Sequence, residues 1–524
     1  MKNKGRIISF IFVLTMLFTL IGCQQNTTEL SSKSESPEVK SEANKQSSST
    51  EEKAEELVPL KVYTWTGTKQ RDEAIVLTEM SNYLKETIKA DVEITMLDLD
   101  DYKNKVPLLL SSGETIDLCF ASSWNNPFLT GVSTNAFLPL DNLLENQGKA
   151  LKDFIPDALW TGAKIKGNIY GVPMYKEMGR QWGYFINKEL ADQYGFDLST
   201  IKDWDDIEPM LATLKEKEPD VVGLANPQRA FATLPYSIMT GNWKRPGVIN
   251  ATSEMETFKG TDGKVFNQYT MPEYKETITK LHEWYKAGYT PEDAKNYSKD
   301  QLDKNDAKLN KLFARLIWYA PNSEVGWSND VGHQYVYIPL HQPVIESGVS
   351  VGNVWAIPYT AENPEKAMEL LTALYTDKEL GTMIRHGVEG THYVKNDDGT
   401  ITIADGIDPT DRPYDQGMGW MYGTIFNQYI DVSQTPADTL DAYYTFNDSA
   451  VMSDAMGFIF DSEPVLNEIA AIDNVMEQYS DPLNAGLVDP EKYLPEFLSA
   501  LENAGVNKLI EESQKQYDAW KASR

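Results

Sequence analysis

Between residues 60 and 120 the apolar spacing of the chain switches period four times, and that switching narrows what the chain can fold into. Leu60-Lys61-Val62-Tyr63-Thr64-Trp65 reads as a strand and stops at Gly67. Ile75, Val76, Met80, Tyr83, Leu84 and Ile88 then recur at helical spacing. Val92, Ile94 and Met96 alternate as a second strand, a helical stretch runs through Leu108-Leu109-Leu110, and Ile116 to Phe120 supplies a third strand. Strand, helix, strand, helix, strand predicts a parallel sheet with right-handed crossovers. Ligands of such sheets gather at the carboxyl ends of the strands. Trp65 and Trp124 stand at two of those ends, which makes them candidate ligand contacts, with Asn125 beside them. Cys119 lies inside the apolar run Ile116-Asp117-Leu118-Cys119-Phe120 and reads as a buried strand residue, not a nucleophile.

The pattern continues. Lys164-Ile165-Lys166-Gly167-Asn168-Ile169-Tyr170 is hairpin-like, with Gly167-Asn168 as its turn. Gln181 to Asn187 predicts a strand, followed by a helix from Lys188 to Tyr194 that stops at Gly195. Asp203 is placed to cap the helix carrying Ile207, Met210, Leu211 and Leu214. Tyr274, Ile278, Leu281 and Tyr285 mark another amphipathic helix. Leu312–Tyr319, Val336–Leu340 and Val351–Pro358 read as strands, and a helix follows from Pro364 to Tyr375 with proline in its tolerated first turn. The last 70 residues are mostly helical, broken by Asp481-Pro482 and Gly486. About 465 foldable residues exceed a single core, so two or more domains are expected.

The N-terminus is different in kind. Lys2, Lys4 and Arg6 precede Ile7–Ile21, which carries no charge, and Leu20-Ile21-Gly22-Cys23 closes the segment. Fifteen residues suit a signal segment better than a bilayer-spanning helix. The tetrapeptide resembles the bacterial lipobox. That resemblance implies a signal peptide over 1–22, acylation of Cys23, and anchoring on the extracellular face of a cell membrane; an exported chain in which no disulfide is possible fits a Gram-positive source. Residues 23–58 are Ser, Glu, Lys, Gln, Asn and Thr with almost nothing apolar, and read as a disordered tether. Removal of the three signal-peptide cations takes the formal net charge from −30 to −33. A surface this acidic repels nucleic acid and anionic head groups, so neither is an expected partner. With Cys23 acylated, Cys119 has no disulfide partner within the chain.

The middle of the chain resembles a family. Gly167-Asn168-Ile169-Tyr170-Gly171-Val172-Pro173, then Gly183-Tyr184-Phe185-Ile186-Asn187-Lys188-Glu189-Leu190, resembles the central signature of family 1 extracellular solute-binding proteins, the receptors of carbohydrate ABC importers. Asn353-Val354-Trp355-Ala356-Ile357-Pro358 with Asn363-Pro364-Glu365-Lys366-Ala367 resembles that family's return crossing and its helix. Leu374-Tyr375-Thr376-Asp377-Lys378-Glu379-Leu380, Gly387–Val394, Gly457–Asp461, Pro490–Leu494 and the final helix resemble the long subfamily labelled as aldouronate-transport lipoproteins.

The resemblance implies a type II periplasmic-binding-protein-like α/β fold: two hinge-connected parallel-sheet lobes with a helical C-terminal extension. Lobe 1 would hold 59–173 plus about 358–420, and lobe 2 would hold 174–357 plus about 421–524. It implies a monomer that takes an oligosaccharide between its lobes and delivers it to the permease subunits of an ABC importer.

No catalytic signature accompanies this. P-loop, G-x-S-x-G, H-E-x-x-H and C-x-x-C patterns are all missing, and the five histidines show no close pairing, so no metal and no cofactor is expected. Two alternatives stand beside the binding protein: an acidic glycoside hydrolase, whose carboxylate pair is defined only in space, and a glycan adhesin. A sugar site needs an aromatic platform edged by carboxylate, amide and guanidinium groups. Met174 to Trp182 offers all of these at the outbound crossing, and Glu177, Arg180 and Trp182 are its candidates. Trp355 on the return crossing is another. Trp420 and Tyr422, in Gly417-Met418-Gly419-Trp420-Met421-Tyr422-Gly423, sit where glycines bring the backbone close to ligand or to the opposite lobe. Trp243, Arg229 and Asn125 complete the set. Arg180, Arg229 or Arg412 would have to face an acidic sugar, while Trp284 and Trp520 fall on apolar helix faces and read as core.

Overall fold

The computed structural model describes residues 56–67, 69–233, 263–297, 302–417 and 419–524. Cys23, the tether through residue 55 and Trp243 lie outside the described residues.

The opening alternation folds as a parallel unit. Val58–Thr66 pairs in parallel with Ala90–Asp98 along nine residues, and with Leu118–Ser122 through Val62↔Leu118. The intervening helix Glu73–Thr87 buries Val76, Met80 and Leu84, one residue per turn, against the sheet. The second helix, Leu99–Ser112, starts where the Asp98 carboxylate accepts the Asp101 N–H at 2.9 Å, and it stops at the left-handed Gly113. Two further strands complete this first sheet, in the order Ala90–Asp98, Val58–Thr66, Leu118–Ser122, Asn353–Ala356, Val172–Pro173. Asn353–Ala356 is antiparallel to both of its neighbours.

Both faces of the sheet are covered, as parallel pairing requires. Leu60, Val62, Trp65 and Phe120 pack into one core with the helix Pro364–Thr376, while Cys119, Ala121, Phe128 and Val354 pack into another. Cys119 is a buried strand residue, and burial pushes its thiol up to about 12.

The hairpin Lys164–Ile165/Asn168–Ile169 turns one residue earlier than its glycine suggests. Lys166 and Gly167 form the two-residue loop, both with positive φ (50° and 93°), which matches the right-handed twist of its strands. The chain then crosses to a second sheet, ordered Tyr335–Pro339, Trp182–Asn187, Leu312–Trp318, Val222–Leu224. Here the central pairings are antiparallel, and only Val222–Leu224 joins in parallel. Asn187 caps the helix Lys188–Tyr194 by accepting the Leu190 N–H, and Gly195 ends it at φ 64°. Asp203 does not cap the next helix. Asp206 takes the Lys202 and Asp203 N–H groups into a turn, and the helix begins only at Glu208. The second core gathers Tyr184, Ile186, Leu211, Leu281, Trp284 and Leu316.

The C-terminal helices Leu466–Asn484, Pro490–Asn503 and Val506–Ala522 build a third core with Tyr274 and Ile278 of the helix Pro272–Ala287. Asp481-Pro482 does not break the first of them. Pro482 sits in the last turn and forfeits one hydrogen bond, and the stop comes at Gly486. A Cβ there would stand 2.3 Å from the Leu281 carbonyl oxygen. These two mixed sheets with flanking helices and a helical extension are the architecture of a two-lobe periplasmic-binding-protein-like fold.

Four chain segments meet at the junction. Arg180 bridges to Val344, Val344–Ile345 pairs with Val451–Met452, and Tyr175 bridges to Thr424.

Candidate functional site

At the carboxyl end of Leu118–Ser122 a tight turn lifts one tryptophan out of the core. The Ser122 hydroxyl donates to the Asn125 carbonyl at 2.7 Å and accepts the Asn125 N–H at 2.8 Å. Asn126, at φ 37°, donates its side-chain amide to the Phe120 carbonyl at 2.9 Å. Trp124 is left 42% exposed, and its indole N–H donates to Asn353 Oδ1 at 2.9 Å. Beneath it stands Trp65, edge-on at 5.3 Å, and Phe120 touches Trp65, Trp124 and Trp355 at 6.1–6.3 Å. Trp355 is only 1% exposed, with its indole N–H on the Met421 carbonyl at 2.9 Å. The aromatics therefore form a column from core to surface with Trp124 as its open end. Trp65 Nε1 and the Asn125 amide are buried and find no partner among the described residues.

The second sheet ends in a similar way. Trp318 closes Leu312–Trp318 and is 38% exposed, while its register partner Trp182 is 3% exposed at 6.4 Å. Arg180 lies over the Trp318 ring at 4.2 Å, and Arg229 lies 5.5 Å from the Trp182 ring. Arg180 is itself held by Glu346 at 2.5 Å, both side chains nearly buried. Burial pushes the Glu346 carboxyl up, and Arg180 pulls it back. Burial also lowers the Arg229 guanidinium, with Arg315 adding repulsion. Sequence alone does not single out Trp318, because it closes an apolar run and reads there as one more strand residue. Its pairing with Trp182 at the sheet's end is the signal that exposes it.

A cavity of about 280 Å³ opens beside the outbound crossing, lined among others by Lys176, Glu177, Ala320, Trp420, Gln428 and Tyr443. Lys176 is ion-paired with Glu177 and stands 5.1 Å over the Trp420 ring. Glu177 and Arg180 thus do not pair with each other, since each has a different partner. Tyr422 is not in this wall. It is buried, with its hydroxyl on Met96 Sδ at 3.7 Å. Of the glycines flanking these aromatics, Gly419 and Gly423 approach protein, while a Cβ on Gly417 would meet open space. A Cβ on Gly419 would stand 2.2 Å from the Arg385 side chain, and one on Gly423 (φ 121°) 2.7 Å from the Tyr375 ring. Arg412 is engaged by Asp431 at 2.6 Å. Trp284 lies in the second core, and Trp520 packs with Tyr517 and Phe458. Among the described residues no three His, Cys, Asp or Glu side chains are grouped to hold a metal ion.

Residues 80–393 match the family model described as bacterial extracellular solute-binding protein. This chain belongs to that family. The solute-binding protein also carries, over 454–522, a match to a domain of unknown function (DUF3502), which coincides with the C-terminal helical region. It is 29% identical over 449 residues, covering 84% of this chain and 87% of the relative, to a carbohydrate ABC transporter substrate-binding protein of Streptococcus pneumoniae serotype 4. Its fold is similar to the crystal structure of the N-glycan transport solute-binding protein NgtS from Streptococcus pneumoniae, with TM-score 0.74 and 28% identity, covering 88% of this chain and 98% of that one. The same protein in complex with Man5GlcNAc matches with TM-score 0.68 at 28% identity, over 89% and 99% of the two chains. The alginate-binding protein AlgQ2, at 16% identity and TM-score 0.61, over 88% of this chain and 98% of that one, shares the fold. A solute-binding protein holds and releases its ligand without changing it. Rigid aromatic surfaces on two separate sheets are suited to that role.

Proposed function

We propose that this protein captures an oligosaccharide between the carboxyl ends of its two sheets and passes it to the permease subunits of an ABC importer. The observation that carries this reading is the pair Trp124 and Trp318. Trp124 stands in the turn just past a strand of the first sheet and Trp318 ends a strand of the second, both are exposed, and each is backed by a buried tryptophan. Pyranose rings present apolar C–H faces to such surfaces and hydroxyls to the amides and ion pairs at their edges. The named ligands of the pneumococcal relatives are carbohydrates, which supports the same class here. The lobes would be 59–173 with about 358–420, and 174–357 with about 421–524, moving about the junction at Arg180, Val344 and Val451. The protein would act as a monomer on a lipid anchor at Cys23, outside the cell membrane. Aldouronates and neutral oligosaccharides are the two ligand classes this reading leaves.

Calorimetric titration of the full-length protein in detergent tests this against neutral gluco-, manno- and xylo-oligosaccharides, oligogalacturonates and glucuronic-acid-substituted xylo-oligosaccharides. One of them should bind stoichiometrically, come back chemically intact, and at 100 times its dissociation constant add about 2.7 kcal/mol of stability. Catalytic release of shorter sugars would make the protein a glycoside hydrolase, and silence across the panel would remove the sugar reading.

A further inference from the structure

Every charge in the wall of the cavity beside Trp420 is matched inside the protein. Its lining cations are Lys176 and Arg385, and its lining carboxylates are Glu177 and Asp431. Lys176 is ion-paired with Glu177, the two side chains only 21% and 8% exposed. Arg385 Nη1 donates to Asp415 Oδ1 at 2.9 Å. Asp431 Oδ2 accepts from Arg412 at 2.6 Å and from Gln434 at 3.0 Å. The remaining titratable ring, His386, is kept neutral by burial and by the nearby Arg385 and Arg412. No charge is left unmatched for a ligand, and uncharged groups stand open beside the pairs. The Tyr443 hydroxyl makes no hydrogen bond among the described residues, and Gln428 spends its amide N–H on the Ile425 carbonyl while its oxygen stays available.

We propose that this cavity is a subsite for one uncharged pyranose of the bound oligosaccharide, and that it turns uronates away; the assignment rests on the oligosaccharide reading above. At about 280 Å³ the space lies just below the usual range for ligand pockets, so it suits a single ring and not a chain of them. The Lys176–Glu177 pair sets ammonium donors beside carboxylate acceptors, which is the pattern that two adjacent sugar hydroxyls need. Tyr443 and Gln428 supply a further donor and acceptor, and the Trp420 ring closes the apolar side. A neutral sugar exchanges its hydrogen bonds to water for these nearly one for one. A uronate carboxylate would meet Glu177 and Asp431. To gain a cation it must draw Lys176 from Glu177, which is then poorly solvated and unpaired, or Arg385 from Asp415, which then falls back on Gln434 and on Arg412 at 3.7 Å.

Titration of the full-length protein compares the tightest neutral glycan of the panel with oligogalacturonates of the same length. The neutral glycan should bind at least about a hundredfold tighter, the scale set by a like-charge encounter in a desolvated site. Glu177→Gln keeps the shape and releases Lys176, so it should narrow that ratio by about tenfold, through tighter oligogalacturonate binding. Tyr443→Phe should weaken the neutral glycan by roughly two- to tenfold with an unchanged melting temperature. Oligogalacturonates binding as tightly as the neutral glycan, or a ratio untouched by Glu177→Gln, would overturn the charge assignment and leave sugar capture standing. If nothing in the panel binds, capture itself falls, and this subsite with it.

Discussion

Trp182 and Trp318 face each other across one strand pairing, yet one is sealed and the other open. The difference comes from what lies beyond the sheet's end. Trp182 begins its strand, with Arg229 against its ring, whereas Trp318 finishes its strand with Arg180 over one face. An exposed ring gives up little stability when it is removed but takes its whole stacking area with it. Trp318→Ala and Trp124→Ala are therefore each expected to weaken oligosaccharide binding by roughly 1–3 kcal/mol, a five- to more than hundredfold change, with small shifts in denaturant midpoint. Trp355→Ala and Trp182→Ala should do the reverse and lose about 3–5 kcal/mol of folding free energy, because their cavities cannot collapse. Titration and urea melts on the four variants separate the two outcomes. A large stability loss with intact binding in Trp318→Ala would place that residue in the core and remove it from the site.

At the scale of elements, the crossings decide the geometry. The outbound crossing is pinned where Arg180 exchanges backbone hydrogen bonds with Val344 and meets Glu346 through its guanidinium. His341 sits at the same junction. The Trp182 N–H donates to His341 Nε2 at 2.9 Å, and His341 Nδ1 donates to the Gln342 carbonyl at 2.7 Å, so the ring is needed neutral. Burial lowers its pKa from 6.5 to about 4. Between those values the unfolded imidazole binds a proton that the folded one refuses. The contribution to stability is thus complete above pH 6.5 and is lost as pH falls from 6.5 to about 4. Across that window His341 should add a slope of about 1.4 kcal/mol per pH unit. His341→Gln, which can still accept the Trp182 N–H, should flatten the urea-unfolding profile by that amount. An unaltered slope would show that the ring is solvated when folded.

At the scale of the whole molecule, the proposed lipid anchor at Cys23 would keep the receptor near a membrane. Cys23→Ala should block acylation and leave uncleaved precursor in membrane fractions, because signal removal in a lipobox pathway follows lipid transfer. Metabolic labelling with an alkyne fatty acid reads this directly. A variant still cleaved after Gly22 and equally membrane-bound would end the anchor reading.

Period and punctuation were enough to read the three consecutive parallel strands of the first sheet from the sequence. The spacings at Val76, Met80 and Leu84, the αL stop at Gly195 and the proline at the start of Pro364–Thr376 are local causes, and each acts within one turn or strand. That the chain is an extracellular solute-binding protein was legible too, since the motifs keep their order along it. What the sequence could not decide was set by distance. The antiparallel entry of Asn353–Ala356, the helix start delayed to Glu208 and the continuation through Pro482 depend on neighbours or turns that outweigh local propensity. The site shows this most plainly. Trp355 and Trp124 carry the same side chain, but only tertiary packing buries the one under Phe120 and Met421 and lifts the other onto the surface. Likewise Glu177 and Arg180 sit three residues apart with opposite charges, and each is matched by a partner that the fold brings from elsewhere or from next door. Exposure and ion pairing are properties of a surface, and the sequence holds no surface until the chain has closed around it.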